Sequence, residues 1–186
     1  MKTCRETWEH MTAISHDAPV RNYAQMIDMS DYLVETKLFP KEVLDAYGAS
    51  NLEKDLTDAQ RSHFNPERGG GQGNYRAGME RKIQNVVDCL NQFPMSKRAI
   101  ITVPNNPFAD HSDDEAAKCM RELQFFIEDG KLNASVFFRA QAAQIFPKNI
   151  HFIGLLMDEV AMRLTTRPIR GNLHYFTSIL ASDRWS

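Results

Sequence analysis

The amino-acid sequence predicts one mixed α/β (α+β) domain built around a β-sheet. Three observations predict this class: a helical repeat of apolar residues from Met79 to Leu90, an apolar run typical of a buried strand soon after it, and two strand-like runs around an Asp-Gly turn. A chain of 186 residues, of which 42% are hydrophobic and 25% charged, is long enough to bury one core. We therefore treat residues 1–186 as a single domain.

The predicted elements become clear only after residue 75, because the earlier part of the chain has short apolar runs and mixed polarity. The helix that contains Met79 and Leu90 is expected to end at "FPMS", where a proline follows Phe93. The run "RAIITV", from Arg98 to Val103, is β-branched and apolar, so it predicts a buried strand that ends at "PNNP".

The runs "LQFFIE" and "LNASVFFR" flank Asp129-Gly130, a dipeptide that suits the positive φ angles of a two-residue hairpin turn. Cys119 lies just before the first run, and Arg139 is the last residue of the second. Antiparallel pairing would bring these two ends to the same edge of the sheet. After Asn149, apolar residues recur at helical spacing and predict a long amphipathic helix.

Composition limits the partners and the compartment. A formal net charge of −2 gives no reason to expect nucleic acid or an anionic membrane as a partner. No run reaches the roughly 18 apolar residues of a membrane span. Cys4, Cys89 and Cys119 show no paired spacing, and the N-terminus has no apolar signal segment, so we expect a reduced, cytoplasmic protein. The histidines and cysteines lack metal-ligand spacing, and we expect no metal.

Cys119 is a candidate nucleophile. A thiol becomes useful in catalysis when nearby positive charge keeps it ionised, whereas a thiol packed among apolar groups stays inert. Arg139 would supply such a charge, and the acidic run "DDEAAKC" opposes it. The residues by themselves leave a packed cysteine and a reactive cysteine both open.

Taken in order, these segments resemble the thymidylate synthase family of pyrimidine methylases and hydroxymethylases. The matching segments are "IQNVVDCLNQFPMSKRAIITV", Cys119, "LQFFIEDGKL", Arg139 and "PKNIHFIGLL", and they cover about Tyr75 to Phe176. The resemblance implies a thymidylate synthase-like fold: a large, mainly antiparallel mixed sheet with helices on one face. It also implies a homodimer in which the sheet of a second subunit packs on the other face.

The resemblance implies roles for four catalytic residues. Cys119 would attack an electrophilic ring carbon while Arg139 keeps the sulfur ionised. Asn149 would read the edge of a ring amide, and His174 in "GNLH" would order the substrate or a water molecule.

It also implies further site residues. Lys97 and Arg98 would reach into the site of the partner subunit, and Gln124 of the Gln-Phe strand would contact the substrate. Arg21 corresponds to the family's phosphate-loop arginine. Glu42 corresponds to its proton-handling glutamate, one position away from the family spacing.

Departures from the family pattern change the expected chemistry. Ala140 and Ala142 replace a phosphate-binding serine and a carboxylate that serves the folate. Phe176 replaces a tyrosine that holds the sugar hydroxyl, and Met120 replaces the histidine that follows the cysteine. The chain ends at Ser186, without the family's folate-closing segment. These departures predict weak binding of nucleotide and of reduced folate.

We therefore expect an enzyme that uses Cys119 on a small heterocyclic substrate without a cofactor. The expected substrate is a pyrimidine-like ring or a cyclic amide, ureide or guanidine, such as a hydantoin- or creatinine-like ring, and the expected reaction is hydrolysis. An alternative is a pyrimidine nucleotide C5-methyltransferase or hydroxymethyltransferase that uses methylenetetrahydrofolate, which Arg139, Lys97 and Arg98 favour. A second alternative is a non-catalytic pyrimidine-binding protein.

Overall fold

The computed structural model describes residues 1–68, 74–113 and 115–183. In these ranges the strands are β1 (Lys2–Thr3), β2 (Val20–Asp28), β3 (Ile100–Thr102), β4 (Met120–Glu128), β5 (Lys131–Phe138), β6 (Gln141–Ala142) and β7 (Ile169–Ala181). The helices are α1 (Cys4–Ile14), α2 (Lys41–Asn51), α3 (Asp58–Arg61), α4 (Met79–Gln92) and α5 (Phe146–Arg163), and a 3-10 turn spans Ala143–Ile145. The mixed α/β class predicted from the sequence is confirmed.

Within the described ranges the seven strands form one sheet in the order β1-β2-β7-β5-β4-β3, and β6 also pairs with β7. The pairs β2–β7, β3–β4 and β4–β5 are antiparallel. The pairs β1–β2, β5–β7 and β6–β7 are parallel. Helix α5 carries the chain between β6 and β7, and parallel neighbours need a crossover of this kind. The sheet is therefore large and mixed.

The hairpin of β4 and β5 positions the candidate nucleophile. Asp129 and Gly130 form its turn with φ angles of 51° and 72°, as predicted for a two-residue connection. At the open end of the hairpin, the Arg139 backbone N–H donates to the Cys119 carbonyl at 2.9 Å. The prediction that antiparallel pairing brings Cys119 and Arg139 together is confirmed.

Two of the predicted bounds were wrong. Helix α5 begins at Phe146, so Asn149 lies within its first turn and does not open the helix. Pro147 lies near the helix start, where the missing N–H of proline costs no hydrogen bond, and this allows the helix to begin early. The strand expected from Arg98 to Val103 is shorter and spans Ile100–Thr102.

The two faces of the sheet differ in burial. Along β7, Leu173 and Tyr175 are buried among the helices, whereas His174 and Phe176 are exposed on the opposite face. This alternation is the period of two that a strand imposes on its side chains. The helices thus cover one face, and the other face, which we call the outer face, carries exposed side chains such as His174 and Phe176. None of the helices in the described ranges has the length and apolar character needed to cross a membrane.

Candidate functional site

The three cysteines occupy different environments. Burial, helped by the nearby charge of Asp31, raises the pKa of Cys4 to about 12, so its thiol stays protonated. Cys89 is half-buried on α4, and its Sγ lies 3.2 Å from the Ser96 hydroxyl. Cys119 is half-buried immediately before β4. Cys4 is therefore chemically inert, and the surroundings of Cys119 decide whether that thiol has a function.

Three buried tyrosines lie near Cys119. Burial is the main cause that raises the pKa values of Tyr47, Tyr75 and Tyr175, and a charge on Cys119 contributes to the rise for all three. The Cys119 sulfur therefore lies within electrostatic range of all three phenols. With pKa values raised above their usual 10, these phenols stay protonated at neutral pH and can donate hydrogen bonds.

Tyr75 is held next to the cysteine by two contacts. Its hydroxyl has a hydrogen bond with the backbone of Met120, the residue that follows Cys119, and this bond partly opposes the effect of burial on the Tyr75 pKa. Its backbone N–H donates to Asn51 Oδ1 at 2.8 Å, which ties it to the end of α2. The Tyr75 phenol is thus fixed beside the peptide that carries the thiol.

Three buried side chains, those of Gln141, Asn149 and Tyr175, form a hydrogen-bond network. Gln141 Oε1 accepts hydrogen bonds from Asn149 Nδ2 and from the Tyr175 hydroxyl, each at 3.0 Å. Gln141 Nε2 donates to the Ala142 carbonyl at 2.7 Å. Asn149 is only 2% exposed, and its Oδ1 has no hydrogen-bond partner among the described residues. Because buried polar atoms are nearly always paired, this unpaired oxygen is a candidate for contact with a ligand.

Arg139 places a positive charge near Cys119 and Tyr75. Its side chain is exposed, and its Nε donates to the Ala117 carbonyl at 2.7 Å. The charge is close enough to lower the pKa of Tyr75 slightly, against the much larger effect of burial. Arg139 is therefore held by the loop that precedes Cys119, with its guanidinium near the same phenol.

Lys148 is a buried cation that the sequence analysis did not identify. It is 1% exposed, its Nζ donates to the Arg68 carbonyl at 2.9 Å, and the same nitrogen lies 4.4 Å from the centroid of the Tyr47 ring. A lysine in an amphipathic helix usually faces water, so the sequence contains no clear signal of this position.

Two predicted site residues lie on the outer face of the sheet, away from the buried tyrosines. His174 is exposed there, with its ring 6.0 Å from that of Phe126. Gln124 is half-buried on β4, and its Nε2 donates to the Lys97 carbonyl at 2.9 Å. Tyr175, next to His174 in the chain, is the β7 residue that contacts Gln141.

The other predicted residues are exposed. Glu42 is in the first turn of α2, and Lys97 and Arg98 precede β3. Arg21 is on β2, where it pairs with Ile179 of β7. The structure thus brings Cys119 and Arg139 together at the open end of the hairpin, and it links Asn149 to Gln141 and Tyr175. Gln124 and His174 lie on the outer face, and the side chains of Glu42, Lys97, Arg98 and Arg21 are exposed.

Comparison with known proteins adds no family assignment, because no protein-family model matches the sequence. In the ranges that the structure describes, no three histidine, cysteine, aspartate or glutamate side chains converge as a metal-ion site would require. The chemistry of the site is therefore inferred from its own residues.

Proposed function

We propose that this chain is a thymidylate synthase-like enzyme that uses Cys119 to open a small cyclic amide, ureide, guanidine or pyrimidine-like ring by hydrolysis. The observation that supports the proposal is the placement of Cys119. It is a half-buried thiol within electrostatic range of buried, protonated phenols. One of these phenols, Tyr175, shares Gln141 with Asn149, an amide whose acceptor atom is unpaired. A thiol, a proton donor and an amide that can read a ring edge are the groups that such a reaction needs.

The proposed reaction has two steps. Cys119 Sγ attacks the electrophilic carbon of a ring C–N bond, that bond breaks, and the nitrogen leaves with a proton. The product of this step is a ring-opened acyl group joined to sulfur as a thioester. Water then attacks the thioester carbon, releases the carboxylic acid and returns the proton to the thiol, so one water molecule is consumed in each turnover.

The surrounding residues have separate roles in this proposal. Tyr75 donates a hydrogen bond to the oxygen or nitrogen that becomes negative during attack, since its raised pKa keeps the phenol protonated. Arg139 adds positive charge at the same edge. Asn149 accepts a hydrogen bond from the ring.

Residue 142 supports a reaction without folate. Ala142 is buried and pairs with Ala181 in the short β6–β7 ladder, so its methyl group offers neither charge nor a hydrogen bond to a folate. A polar cofactor edge that finds no partner in a closed site loses affinity. We therefore propose that the enzyme works without a cofactor.

A specific observation also favours the C5-methyltransferase or hydroxymethyltransferase alternative. Arg21 pairs with Ile179 on one side of β7, and Arg139 follows Phe138, which pairs with Thr177 on the other side. Both arginines are exposed at this end of the sheet, where they would suit the phosphate of a nucleotide. Transfer with methylenetetrahydrofolate therefore remains the second candidate function.

We further propose that the chain forms a homodimer through the outer face. Met26, Phe137 and Phe176 on three neighbouring strands are 43%, 38% and 36% exposed there, and the rings of Phe137 and Phe176 stack at 5.7 Å. Exposed large apolar side chains gathered on one face of a sheet are typical of an interface. In a dimer of this kind, Lys97 and Arg98 would extend towards the partner subunit.

The experiment is a turnover screen with wild type, Cys119→Ser and Cys89→Ser. Cyclic amides, ureides and guanidines are incubated with each protein, and the addition of one water molecule is followed by mass spectrometry. The proposal expects ring opening by wild type and by Cys89→Ser, and none by Cys119→Ser. Ring opening that survives in Cys119→Ser contradicts the nucleophile assignment, whereas ring binding without turnover in all three proteins favours the non-catalytic alternative.

A parallel reaction separates the two enzymatic candidates. Pyrimidine nucleotides labelled with tritium at C5 are supplied together with methylenetetrahydrofolate. Release of tritium by wild type, with no ring opening in the screen, replaces the hydrolytic proposal with C5 transfer.

A further inference from the structure

Asn51, the last residue of α2, holds the backbone of Tyr75. It is only 2% exposed, and its Oδ1 accepts the Tyr75 N–H at 2.8 Å. A backbone N–H can only donate, so this contact determines which end of the Asn51 amide faces Tyr75. The two residues are 24 positions apart in the chain, so the contact fixes Tyr75 against a helix that is distant in sequence.

The ring and the hydroxyl of Tyr75 have contacts of their own. The ring stacks on that of Phe152, with 6.1 Å between their centroids. Burial raises the Tyr75 pKa, and a hydrogen bond with the backbone of Met120 opposes this rise. A bond that acts in this direction favours the ionised phenol, so it is one that the phenol oxygen accepts. The hydroxyl proton of Tyr75 is therefore not used in the bond to Met120.

The other end of the Asn51 amide lies near a second phenol of the site. Burial raises the Tyr47 pKa, and the Asn51 side chain near the Tyr47 hydroxyl partly opposes the rise. This approach lacks the geometry of a hydrogen bond, because Asn51 Nδ2 is buried without a hydrogen-bond partner among the described residues. The contact with Tyr75 is therefore the one by which Asn51 acts most directly on the site.

We infer that Asn51 is a positioning residue: it holds Tyr75 where the phenol can donate its proton to the ring atom that becomes negative as Cys119 attacks. This inference rests on the proposed function of the same site. General-acid catalysis depends on the distance and direction of the proton donor. A Tyr75 released from Asn51 would donate less well in the transition state, so kcat should fall while KM stays nearly unchanged.

A double-mutant cycle tests whether Asn51 acts through Tyr75. Asn51→Leu approximately keeps the volume of the side chain and leaves the Tyr75 N–H without its acceptor, and Tyr75→Phe removes the phenol that the contact positions. The kcat of ring opening is measured with hydantoin or creatinine, whichever of the two wild type opens. We expect Asn51→Leu to lower kcat at least about tenfold in wild type and by about twofold or less in Tyr75→Phe.

Asn91→Leu is the matched control. Asn91 is exposed near the end of α4, and its Oδ1 likewise accepts a backbone N–H, that of Thr165, at 2.9 Å. Removal of this contact should leave kcat within about twofold of wild type. A purely structural role for Asn51 would lower kcat by the same factor in wild type and in Tyr75→Phe. That result would overturn the inference, as would a fall of less than about twofold in wild type.

Asn51→Asp provides a second variant for the case in which Asn51→Leu does not fold. It keeps an oxygen that can accept the Tyr75 N–H and removes only Nδ2, which forms no hydrogen bond with a described residue. We therefore expect kcat to stay within about threefold of wild type. A loss of about tenfold or more, in a variant whose circular dichroism matches wild type, would contradict a role through the Tyr75 contact.

The outcomes distinguish this inference from the proposed function. Ring opening by wild type, with equal effects of Asn51→Leu in both backgrounds, overturns the role of Asn51 and leaves the proposed reaction in place. If wild type opens neither hydantoin nor creatinine, the substrate class of the proposed function is contradicted, and the inference fails with it.

Discussion

Alkylation tests whether the three cysteine thiols differ in reactivity as their environments indicate. Burial is the main cause that raises the pKa of Cys4 to about 12. At about pH 8, roughly one Cys4 sulfur in 10⁴ is then a thiolate, compared with roughly one in four for an exposed cysteine of pKa about 8.5. Ionisation by itself therefore slows Cys4 by a factor of about 10³, and complete burial of the side chain slows it further.

The assay treats the folded protein with iodoacetamide and follows the modified fraction of each cysteine by mass spectrometry. We expect Cys119 to react first, in step with the loss of ring opening. Cys89, whose sulfur contacts Ser96, should react more slowly, and Cys4 last. Cys89→Ser is the control, because its activity should be lost on alkylation as fast as that of wild type.

Two results would refute this reasoning. If Cys4 reacted as fast as Cys119, the inert environment assigned to Cys4 would be wrong. If Cys119 reacted last and activity survived, the nucleophile assignment would be wrong.

Three further predictions concern stability, assembly and the cofactor. Burial lowers the pKa of His151 below its usual 6.5, so the unfolded chain takes up this proton first and stability is lost as pH falls below that value. His151→Gln should therefore reduce the pH dependence of the free energy of unfolding, measured by urea titration between about pH 7 and pH 5.5, by up to about 1.4 kcal/mol per pH unit. An unchanged pH dependence would contradict this. Phe137→Asp places a charge on the outer face and should convert the dimer to a monomer in sedimentation. Met162→Asp, at a methionine that is 62% exposed on α5, should leave the dimer intact. A wild-type monomer at micromolar concentration would refute the dimer. Calorimetry should show weak or no binding of methylenetetrahydrofolate, and micromolar binding together with methyl or hydroxymethyl transfer to a nucleotide would favour the C5-transfer alternative.

Local pattern was enough to predict several elements. The apolar spacing of α4 is a property of its own sequence, and Asp129-Gly130 favours a tight turn whatever surrounds it. The turn brings Cys119 and Arg139 to the same end of the hairpin, and a register shift between Met120 and Glu122 then sets Arg139 against Cys119.

Other parts of the site depend on contacts between segments that are distant in the chain. The sequence "GNLHYF" does not show which of His174 and Tyr175 faces the helices, since both residue types occur on either face of a sheet. Pairing of β7 with β2 and β5 decides it, and a shift of one residue in that register would exchange the two side chains.

The sequence by itself determined the fold class, the hairpin and the position of Cys119 at its open end. Only the tertiary structure decided that Lys148 is buried against Tyr47 and that Asn149 donates to Gln141. The physical reason is the range of the interactions. Helical periodicity and turn geometry act between residues a few positions apart, whereas burial and the pairing of polar atoms depend on what other segments bring to the same place.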